Sequence, residues 1–488
     1  MAVLPFGLRV HFLMNPLALP EEAYRQVYDR VTELALGYLL EINKRSSFPG
    51  ISGAELQSLF ASPIPEQGMG EAALDDLVKV IGASRAQGAR FFGYVLGSGE
   101  PVAAAADLLA SVLNQNVTAW RSAPAAVSLE QLVVGWLAQA VGCTGFRGSL
   151  TAGGSSANLM ALAIAREARL PANEHGIRQS GTVYASEQVH MSIPKAVALL
   201  GIGRDHLRLI TCDDAFRIRT DLLRQAIEAD VRAGITPIAI VGSAGTVATG
   251  SIDCLSELVA IARDTGAWFH IDGAYGALAV VARPELFAGM DSADSVSLDP
   301  HKWLYQPLDC GCLLFRETAH ARRAFSFTGD YAKSIQDNPI ENFAFFDESL
   351  ELSRRFRALK IWLSLRYHGL NSFRQQIQND LDCARRLAAL VEANEEIELL
   401  ATVPLSAVCF RYVPRAGGLN DVQLDELNLR TLKCVQRRGR VYLSNATIRG
   451  SFALRACVVN HRTTLADVDE VIDEVLRAGR EPAPGAHF

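Results

Sequence analysis

Short apolar runs recur through the middle of the chain, and segments long enough to form helices separate them. The runs carry hydrophobic residues at successive rather than alternate positions, which is typical of strands buried on both faces. Alternation of such strands with helices predicts an α/β domain built on a mostly parallel sheet. The predicted strands are TVYA at 182–185, IAIVG at 238–242, WFHID at 268–272, SVSL at 295–298 and CLLF at 312–315.

The N-terminal part of the chain has a different pattern. From Glu21 to Ile42, apolar residues recur every three or four positions, which predicts an amphipathic helix. A stretch punctuated by proline and glycine follows, SSFPGISGAELQSLFASPIPEQGMG. Such a stretch favours an arm or a linker over a compact domain. We therefore expect residues 1–90 to form an N-terminal helical arm.

The large α/β domain is expected to span residues 91–370, and a smaller domain residues 371–488. A long helical stretch is predicted from Glu348 to about Asn394, leading out of the large domain. Beyond it the sequence predicts a strand, AVCFRYV, a helix, the hairpin-like VYLSNATIRGSFALRACVV and a final helix over Leu465–Ala478. This succession predicts a small α+β domain at the C-terminal end.

Composition narrows the possible function classes. The chain has 488 residues, of which 20% are charged and 49% hydrophobic, and a formal net charge of −6. This balance offers no basic footprint for nucleic acid. No apolar run reaches transmembrane length, and Pro5, Arg9 and Pro16 interrupt the apolar N-terminus, so neither a membrane span nor a signal peptide is expected. Nine scattered cysteines without zinc spacing are typical of reduced thiols in a cytoplasmic protein that holds no metal.

One lysine stands out in SVSLDPHKWLYQPLDCGC, residues 295–312. Lys302 lies beside a tryptophan at the end of an apolar run, where an ammonium group is costly unless it is paired or neutralised. A covalent bond to an aldehyde such as pyridoxal 5′-phosphate (PLP) would neutralise it. A protein that holds PLP must also supply a phosphate cradle, an acid for the ring nitrogen and a cover for the ring face.

The sequence offers one candidate for each of these parts. In TAGGSSANLMALAIAREA, residues 151–168, a Gly/Ser loop opens a helix whose free N–H groups can bind phosphate; an ordinary turn and cap is the alternative. Asp272 ends an apolar strand, where it can pair with a pyridinium nitrogen or simply cap the next helix. His190, between a strand and a helix, can stack on the ring or be an ordinary polar residue.

The order of these motifs is more specific than any one of them. DPHKW resembles the lysine motif NPHKW of the group II PLP-dependent decarboxylases, the family of aromatic-L-amino-acid decarboxylase within fold type I. HIDGAYGA is similar to that family's HVDAAYAG, and SEQVHMS to its histidine segment. ELSRRFRALKIWLSLRYHG and SFALRACVVNHRTT resemble later landmarks, so the resemblance covers roughly residues 20–480.

The resemblance implies a fold and a set of roles. The fold would be a PLP-dependent-transferase-like large domain with a mostly parallel, seven-stranded sheet, an N-terminal helical arm and a small C-terminal α+β domain. Lys302 would bond covalently to the aldehyde and Asp272 would pair with the ring nitrogen. The remaining implied contacts are His190 stacked on the ring, Ala274 on its other face, Gly154, Ser155 and His301 at the phosphate, and Thr246 near the cofactor.

The residue that members of the family carry at the position matching Tyr331 differs with the reaction that they catalyse. Decarboxylases of the family carry a tyrosine there, which protonates the α-carbon, whereas relatives that release an aldehyde with oxygen tend to carry phenylalanine. Tyr331 therefore favours decarboxylation to the amine, with His190 as a possible partner. The alternatives are oxygen-dependent decarboxylative deamination to an aldehyde, an aminotransferase or a non-catalytic binding protein.

Substrate choice rests on two further stretches. RFFGYVLGSGEP at 90–101 and AWRSAP at 119–124 resemble substrate-pocket segments, so Tyr94, Val95 and Trp120 are candidates to line an aromatic side-chain pocket. The sequence departs from the animal aromatic enzymes at Val95, where they carry phenylalanine, and it carries Asp299 in place of the usual asparagine. An acidic or diamino substrate is the alternative. The resemblance also implies a homodimer with active sites at the interface, in which the N-terminal arm of residues 1–90 serves in dimerisation.

Overall fold

The computed structural model describes residues 17–327 and 338–481. By its internal contacts the chain divides into two units, Met1–Ala86 and Gln87–Phe488. The first unit contains the helices Glu21–Glu41 (α1), Gly53–Phe60 (α2) and Asp76–Ala83 (α3). α1 confirms the helix predicted from the periodicity of this region. α2 lies within the stretch that the sequence pattern assigned to an arm or linker.

The second unit is built on a seven-stranded sheet. Its strands are Arg147–Thr151 (β1), Gly181–Ser186 (β2), Leu207–Ile210 (β3), Thr236–Ser243 (β4), Trp268–Asp272 (β5), Ser295–Leu298 (β6) and Gly311–Phe315 (β7). Their order is β1-β7-β6-β5-β4-β2-β3, and only β7 runs antiparallel to its neighbours. The mostly parallel sheet and all five strands predicted from the apolar runs are confirmed.

The remaining elements of the second unit complete an α/β domain and a smaller sheet. The helices are Pro101–Leu113 (α4), Pro124–Ala140 (α5), Gly154–Arg169 (α6), Ser192–Leu199 (α7), Thr220–Arg232 (α8), Leu255–Thr265 (α9), Pro300–Trp303 (α10), Thr318–Phe325 (α11), Ala358–His368 (α12), Leu370–Glu392 (α13), Asp421–Arg438 (α14) and Leu465–Gly479 (α15). The strands Ile397–Leu399 (β8), Ala407–Tyr412 (β9), Ser444–Ile448 (β10) and Ser451–Cys457 (β11) form an antiparallel sheet in the order β10-β11-β9-β8. This sheet with α14 and α15 confirms the predicted C-terminal α+β part.

The apolar runs form strands because both faces of the large sheet are covered. Successive residues of a strand point to opposite faces of the sheet, and each face packs against its own hydrophobic cluster. A polar residue at any of these positions would therefore be removed from water. One cluster contains Tyr184, Ile240 and Phe269, together with residues of α5 and α9. The other contains Val183, Val241 and Trp268, together with residues of α6 and α7.

The long helical stretch predicted from Glu348 to about Asn394 is wrong in its extent. Residues 348–357 are not helical, and helix α12 is separated from α13 at Gly369. Gly369 has φ +75°, a value that glycine adopts without strain and that a continuing helix does not allow. Arg354 lies in the non-helical stretch, where its buried guanidinium pairs with Glu130 of α5. This ion pair joins residues far apart in the chain, so the helical periodicity gave no sign of it.

Residues 17–327 and 338–481 contain neither a membrane-spanning helix nor a metal-binding cluster. No helix in these ranges is long and apolar enough to span a membrane. In the same part of the chain, no group of three or more His, Cys, Asp or Glu side chains is arranged to hold a metal ion. The described cysteines are all free thiols, and most are buried.

Candidate active site

A cavity of about 350 Å³ opens at the carboxyl ends of the parallel strands. This is the edge of an open α/β sheet where ligands bind, because the strand-to-helix loops converge there. The cavity is lined by Ala152, Gly153, Gly154, Ser155, Ser156, Asn158, His190, Ser243, Gly245, Thr246, Val247, Asp272, Ala274, Tyr275, Asp299, His301, Lys302 and Leu308. Every cofactor-binding residue predicted from the sequence is therefore found around one cavity.

Lys302 lies on α10, the short helix that follows β6. Its ammonium Nζ is 3.0 Å from Oδ2 of Asp299, one turn earlier in the chain. The side chain is 15% exposed, and it lines the cavity. An amine at this position is accessible to an aldehyde in the cavity while remaining anchored by a short helix.

Lys360 is a second buried lysine and provides a useful contrast. Its ammonium donates to Oδ2 of Asp107 at 2.9 Å and to the carbonyl of Pro307 at 2.7 Å. The side chain is only 1% exposed, and it does not line the cavity. Lys360 thus has the partners of a structural lysine, whereas Lys302 has one carboxylate partner and an open side.

Asp272 is the last residue of β5, and three neighbours donate to its carboxylate. Oδ2 accepts from the side-chain amide of Asn158 at 3.0 Å, and Oδ1 accepts from the backbone N–H of Ala274 and the hydroxyl of Ser297, both at 3.3 Å. Hydrogen bonds to the ionised form stabilise a carboxylate. The three hydrogen bonds orient the carboxylate at the wall of the cavity.

The donor to Asp272 is itself fixed by a buried chain of polar groups. Asn158 is a residue of α6, and its side-chain amide also donates to Oγ of Ser192 at 2.9 Å. Its Oδ1 lies 2.9 Å from Nε2 of His270, whose Nδ1 lies 2.9 Å from Oγ of Ser295. The reverse orientation of the Asn158 amide would set its oxygen against the Asp272 carboxylate. His270 therefore carries its proton on Nε2.

His270 is neutral in this arrangement. Complete burial lowers its pKa to about 4, against the opposing charge of Asp272. This series of hydrogen bonds ends at the indole N–H of Trp268, which donates to Oγ of Ser295 at 2.8 Å. Sequence reasoning missed Asn158, Ser192, His270 and Ser295. The sequence did offer a signal for three of them: Asn158 is a polar residue on the apolar face of a helix, and His270 and Ser295 are polar residues within apolar strands.

His190 follows β2 and joins the same network from the cavity side. Its Nδ1 lies 2.9 Å from Oγ of Ser192 and accepts from the Ser192 backbone N–H at 3.3 Å. Nε2 is consequently the nitrogen that bears the proton. Burial lowers the pKa of His190, against the opposing charge of Asp272. A neutral imidazole at this wall of the cavity is suited to lie against an aromatic ring.

The predicted phosphate cradle is the loop between β1 and α6. Gly153 has φ +145°, which excludes ordinary side chains, and a Cβ on Gly154 would lie 2.6 Å from Cβ of Ala274. Gly311 is equally constrained, because a Cβ there would lie 2.4 Å from Cα of Gly153. The first N–H groups of a helix have no intrahelical partner and attract anions. The glycines thus keep the start of α6 open to a ligand oxygen.

His301 and Thr246 also face the cavity. His301 Nδ1 accepts from the backbone N–H of Cys310 at 3.2 Å, so Nε2 bears the proton. Burial lowers its pKa and keeps the imidazole neutral. Thr246 is held by Ser251, whose backbone N–H donates to the Thr246 hydroxyl at 3.1 Å. Both side chains are therefore oriented by neighbours at the cavity wall.

The remaining predicted residues lie elsewhere. Tyr331 falls outside the described residues. Tyr94, Val95 and Trp120 do not line the cavity. The Tyr94 hydroxyl lies 3.2 Å from that of Tyr442, and Val95 and Trp120 pack against the core of the large domain. Their contact with substrate stays a prediction.

The residues around the cavity fit PLP. A lysine, an oriented carboxylate, a neutral histidine and an open helix start lie around one space of suitable size for a small cofactor. Asp299 is the member that departs from this pattern, because it brings a second carboxylate to the phosphate end. When bound, PLP would supply an electron sink that makes an amino acid's carboxylate a leaving group.

Comparison with known proteins identifies the family. The chain matches the family model described as "Pyridoxal-dependent decarboxylase conserved domain" over residues 61–413. It is 31% identical over 471 residues to an aromatic-L-amino-acid decarboxylase of Bacillus atrophaeus, covering 95% of this chain and 97% of the relative. It is 30% identical over 471 residues to a phenylacetaldehyde synthase of Petunia hybrida, covering 92% of each chain.

A solved structure supports the same assignment. The crystal structure of Oryza sativa TDC with PLP and tryptamine matches with a TM-score of 0.88 and 25% sequence identity. The match covers 94% of this chain and 98% of that one. Sequence and fold thus agree over nearly the whole length of the chain.

Proposed function

Because the chain belongs to the pyridoxal-dependent decarboxylase family, and is a PLP-dependent amino-acid decarboxylase, we propose that it converts an aromatic L-amino acid to the corresponding amine and carbon dioxide. The observation that carries the proposal is the joint placement of Lys302, Asp272 and His190 around one cavity. The similarity to decarboxylases of aromatic amino acids supports the substrate class.

In the proposed reaction, each residue has a distinct task. Lys302 would supply the amine that holds the cofactor. Asp272 would keep a positive charge on the ring nitrogen, since an ion pair at about 3 Å and an effective dielectric constant near 20 is worth about 5 kcal/mol. His190 would cover one face of the ring and Ala274 the other.

A proton must then reach the α-carbon of the substrate. We assign this transfer to Tyr331, with His190 assisting, because a protonated Nε2 at the cavity wall can orient a phenol or substrate oxygen. A phenylalanine at position 331 would remove the acidic hydrogen and favour an oxygen-dependent outcome. The similarity to an aldehyde synthase makes release of the aldehyde the second candidate function.

The covalent attachment can be tested by reduction with borohydride and mapping of the labelled peptide by mass spectrometry. We expect a reduced adduct on Lys302 in the wild-type protein and none in Lys302→Ala. Lys195→Ala is the matched control, because Lys195 is an exposed lysine of α7 whose loss should leave the adduct unchanged. An adduct on another lysine of the wild-type protein would refute the assignment.

The product can be tested separately from the cofactor. Aromatic, acidic and diamino L-amino acids are screened for carbon dioxide release, and each active substrate is then assayed for amine, aldehyde, ammonia and hydrogen peroxide. We expect amine from an aromatic substrate, and a shift to aldehyde and peroxide in Tyr331→Phe with cofactor still bound. Unchanged amine output in that variant would remove Tyr331 from the mechanism.

We further propose that the protein is a homodimer that uses its N-terminal unit. Helix α1 spans 21 residues, yet none of them is buried. Leu36 and Leu40 are 54% and 81% exposed, and several other large apolar side chains of this unit are exposed as well. Apolar helix faces of this size are normally covered. A second copy of the chain is the expected cover, as the family resemblance implies.

Light scattering after size exclusion tests this assembly. The wild-type protein should elute with twice the mass of one chain, and Leu36→Asp combined with Leu40→Asp should shift it towards the monomer. Glu33→Gln with Glu41→Gln alters two exposed residues of the same helix without adding charge to an apolar position. A wild-type monomer would refute the proposal.

A further inference from the structure

Asp299 brings a second carboxylate into the cavity, and one of its oxygens lacks a partner among the described residues. The residue is 2% exposed and directly follows β6. Its Oδ2 pairs with Lys302 at 3.0 Å and lies 3.5 Å from Nε2 of His301. Its Oδ1 is buried and accepts no hydrogen bond from the described residues. A buried carboxylate oxygen without a donor is unfavourable unless a ligand supplies one.

The Asp299 carboxylate lies beside the start of α6. A Cβ on Gly154 would lie 3.1 Å from Oδ2 of Asp299, and one on Gly153 would lie 3.9 Å from Oδ1. The carboxylate thus lies against the helix start that we assign to the phosphate. A phosphate in the cradle and the Asp299 carboxylate would be neighbouring anions, both attracted to the same N–H groups.

The charged and titratable groups near Asp299 do not offset the repulsion between its carboxylate and the phosphate. Lys302 and His301 on α10 face it directly, and His190 contributes from the loop after β2. Burial raises the pKa of the Cys310 thiol to about 12 and also raises that of Cys312, so these neighbours are uncharged. Both imidazoles are neutral. Lys302 is the one cation in direct contact with Asp299, and its ammonium pairs with Oδ2, not with Oδ1. Lys360, which also acts on His301, is held by Asp107 and the carbonyl of Pro307.

We propose that Asp299 and the cofactor's phosphate share one proton, which is held between Asp299 Oδ1 and a phosphate oxygen. The inference rests on the proposed position of the phosphate. A phosphate monoester carries nearly two negative charges at pH 7, because its second proton dissociates near pH 6. One proton is therefore taken up from solution when the phosphate binds, and it satisfies the orphan oxygen with a charge-assisted hydrogen bond.

Calorimetry measures this proton directly. Cofactor-free, full-length protein is titrated with pyridoxamine 5′-phosphate, which has no aldehyde and forms no covalent bond with Lys302. Titrations at pH 8 in buffers of different ionisation enthalpy give the number of protons taken up. We expect the wild-type protein to take up about one proton more than Asp299→Asn, since the amide donates to a phosphate that needs no added proton.

The same variant predicts a pH dependence of affinity. The wild-type protein binds the singly protonated phosphate, whose share falls about tenfold per pH unit above its pKa near 6. The ratio of the wild-type Kd to the Asp299→Asn Kd should therefore rise about tenfold per pH unit between pH 7 and 9. Asp299→Ser also removes the charge and should behave alike if the asparagine variant does not fold. Asp291→Asn, at an exposed position, should retain the wild-type proton count.

The possible outcomes separate this inference from the proposed function. Binding of pyridoxamine 5′-phosphate with equal proton counts in the wild-type protein and the Asp299 variants overturns the shared proton and leaves the cofactor site in place. Failure of every variant and of the wild-type protein to bind overturns the proposed site and the inference together.

Discussion

Two carboxylates follow neighbouring parallel strands and face the same cavity, yet their surroundings differ. Asp272, at the end of β5, receives hydrogen bonds from Asn158, Ala274 and Ser297. Asp299, after β6, pairs with Lys302 on one oxygen, and no described residue donates to the other. The first carboxylate thus has donors on both oxygens, whereas the second has one oxygen that still lacks a donor. Under the proposed assignment, the same type of side chain serves opposite ends of one cofactor.

The largest expected effect comes from neutralising the first carboxylate. Asp272→Asn should lower the decarboxylation rate at saturating cofactor by about 10³-fold or more, because an interaction of about 5 kcal/mol with the ring nitrogen is lost. The measurement is carbon dioxide release with a proven substrate. Asp291→Asn carries the same change at the surface and should retain the wild-type rate. Full activity of Asp272→Asn would show that the two carboxylates have been assigned to the wrong ends.

A smaller effect is expected from removing the support of Asp272. Asn158→Ala deletes the donor to Oδ2, and a hydrogen bond to a charged group contributes about 1.5–3 kcal/mol. The rate at saturating cofactor should fall about 10- to 100-fold, while the covalent adduct on Lys302 persists. Borohydride labelling alongside the rate assay separates this loss of orientation from a loss of binding. A rate equal to that of Asp272→Asn would mean that Asp272 has no effect on the reaction without the hydrogen bond from Asn158.

The pH dependence of stability tests the neutral histidine behind Asn158. The pKa of His270 is lowered to about 4 by burial, whereas an unfolded histidine titrates near 6.5. Between these values the unfolded chain binds the additional proton, so the free energy of unfolding falls as the pH falls. Between pH 7 and 5 this residue should account for a loss of about 2 kcal/mol.

Urea unfolding of His270→Gln at pH 7 and pH 5 measures the contribution of His270 to this loss of unfolding free energy. The variant keeps a donor towards Asn158 but has no imidazole to protonate, so its stability should depend less on pH than that of the wild-type protein. His461 gives a matched control, because burial also lowers its pKa to about 4 and it does not line the cavity. His461→Gln should reduce the pH dependence similarly. Equal pH dependence in the wild-type protein and His270→Gln would mean that folding does not lower the pKa of His270.

The difference between the carboxylates also shows how far the sequence alone could lead. The parallel sheet was predictable, since strands buried on both faces leave continuous apolar runs such as IAIVG. Lys302, Asp272 and His190 were predictable from motif order, because each follows a strand at the same edge of the sheet. The strand Arg147–Thr151 was not, since its short and partly polar sequence, RGSLT, lacks that signature.

The rest depends on contacts between residues distant in the chain. Asn158 and His270 are separated by 112 positions, and their hydrogen bond leaves no local pattern. The orphan oxygen of Asp299 is a property of its surroundings, whereas the sequence revealed only an aspartate in place of an asparagine. The break at Gly369 likewise required the backbone conformation, because the helical periodicity continues on both sides of it.

The smallest expected effect concerns the second oxygen of Asp272. Ser297 donates to Oδ1 at 3.3 Å, which is beyond the usual range for a hydroxyl that donates to oxygen. The backbone N–H of Ala274 donates to the same oxygen and remains in Ser297→Ala. The rate should therefore fall only about threefold, because so long a hydrogen bond, even to a carboxylate, contributes only about 0.5–1 kcal/mol. Carbon dioxide release at saturating cofactor measures it, with Ser297→Thr as the variant that retains a hydroxyl. A loss as large as that of Asn158→Ala would mean that both oxygens of Asp272 need a side-chain donor, and that its difference from Asp299 depends on the complete set of hydrogen bonds.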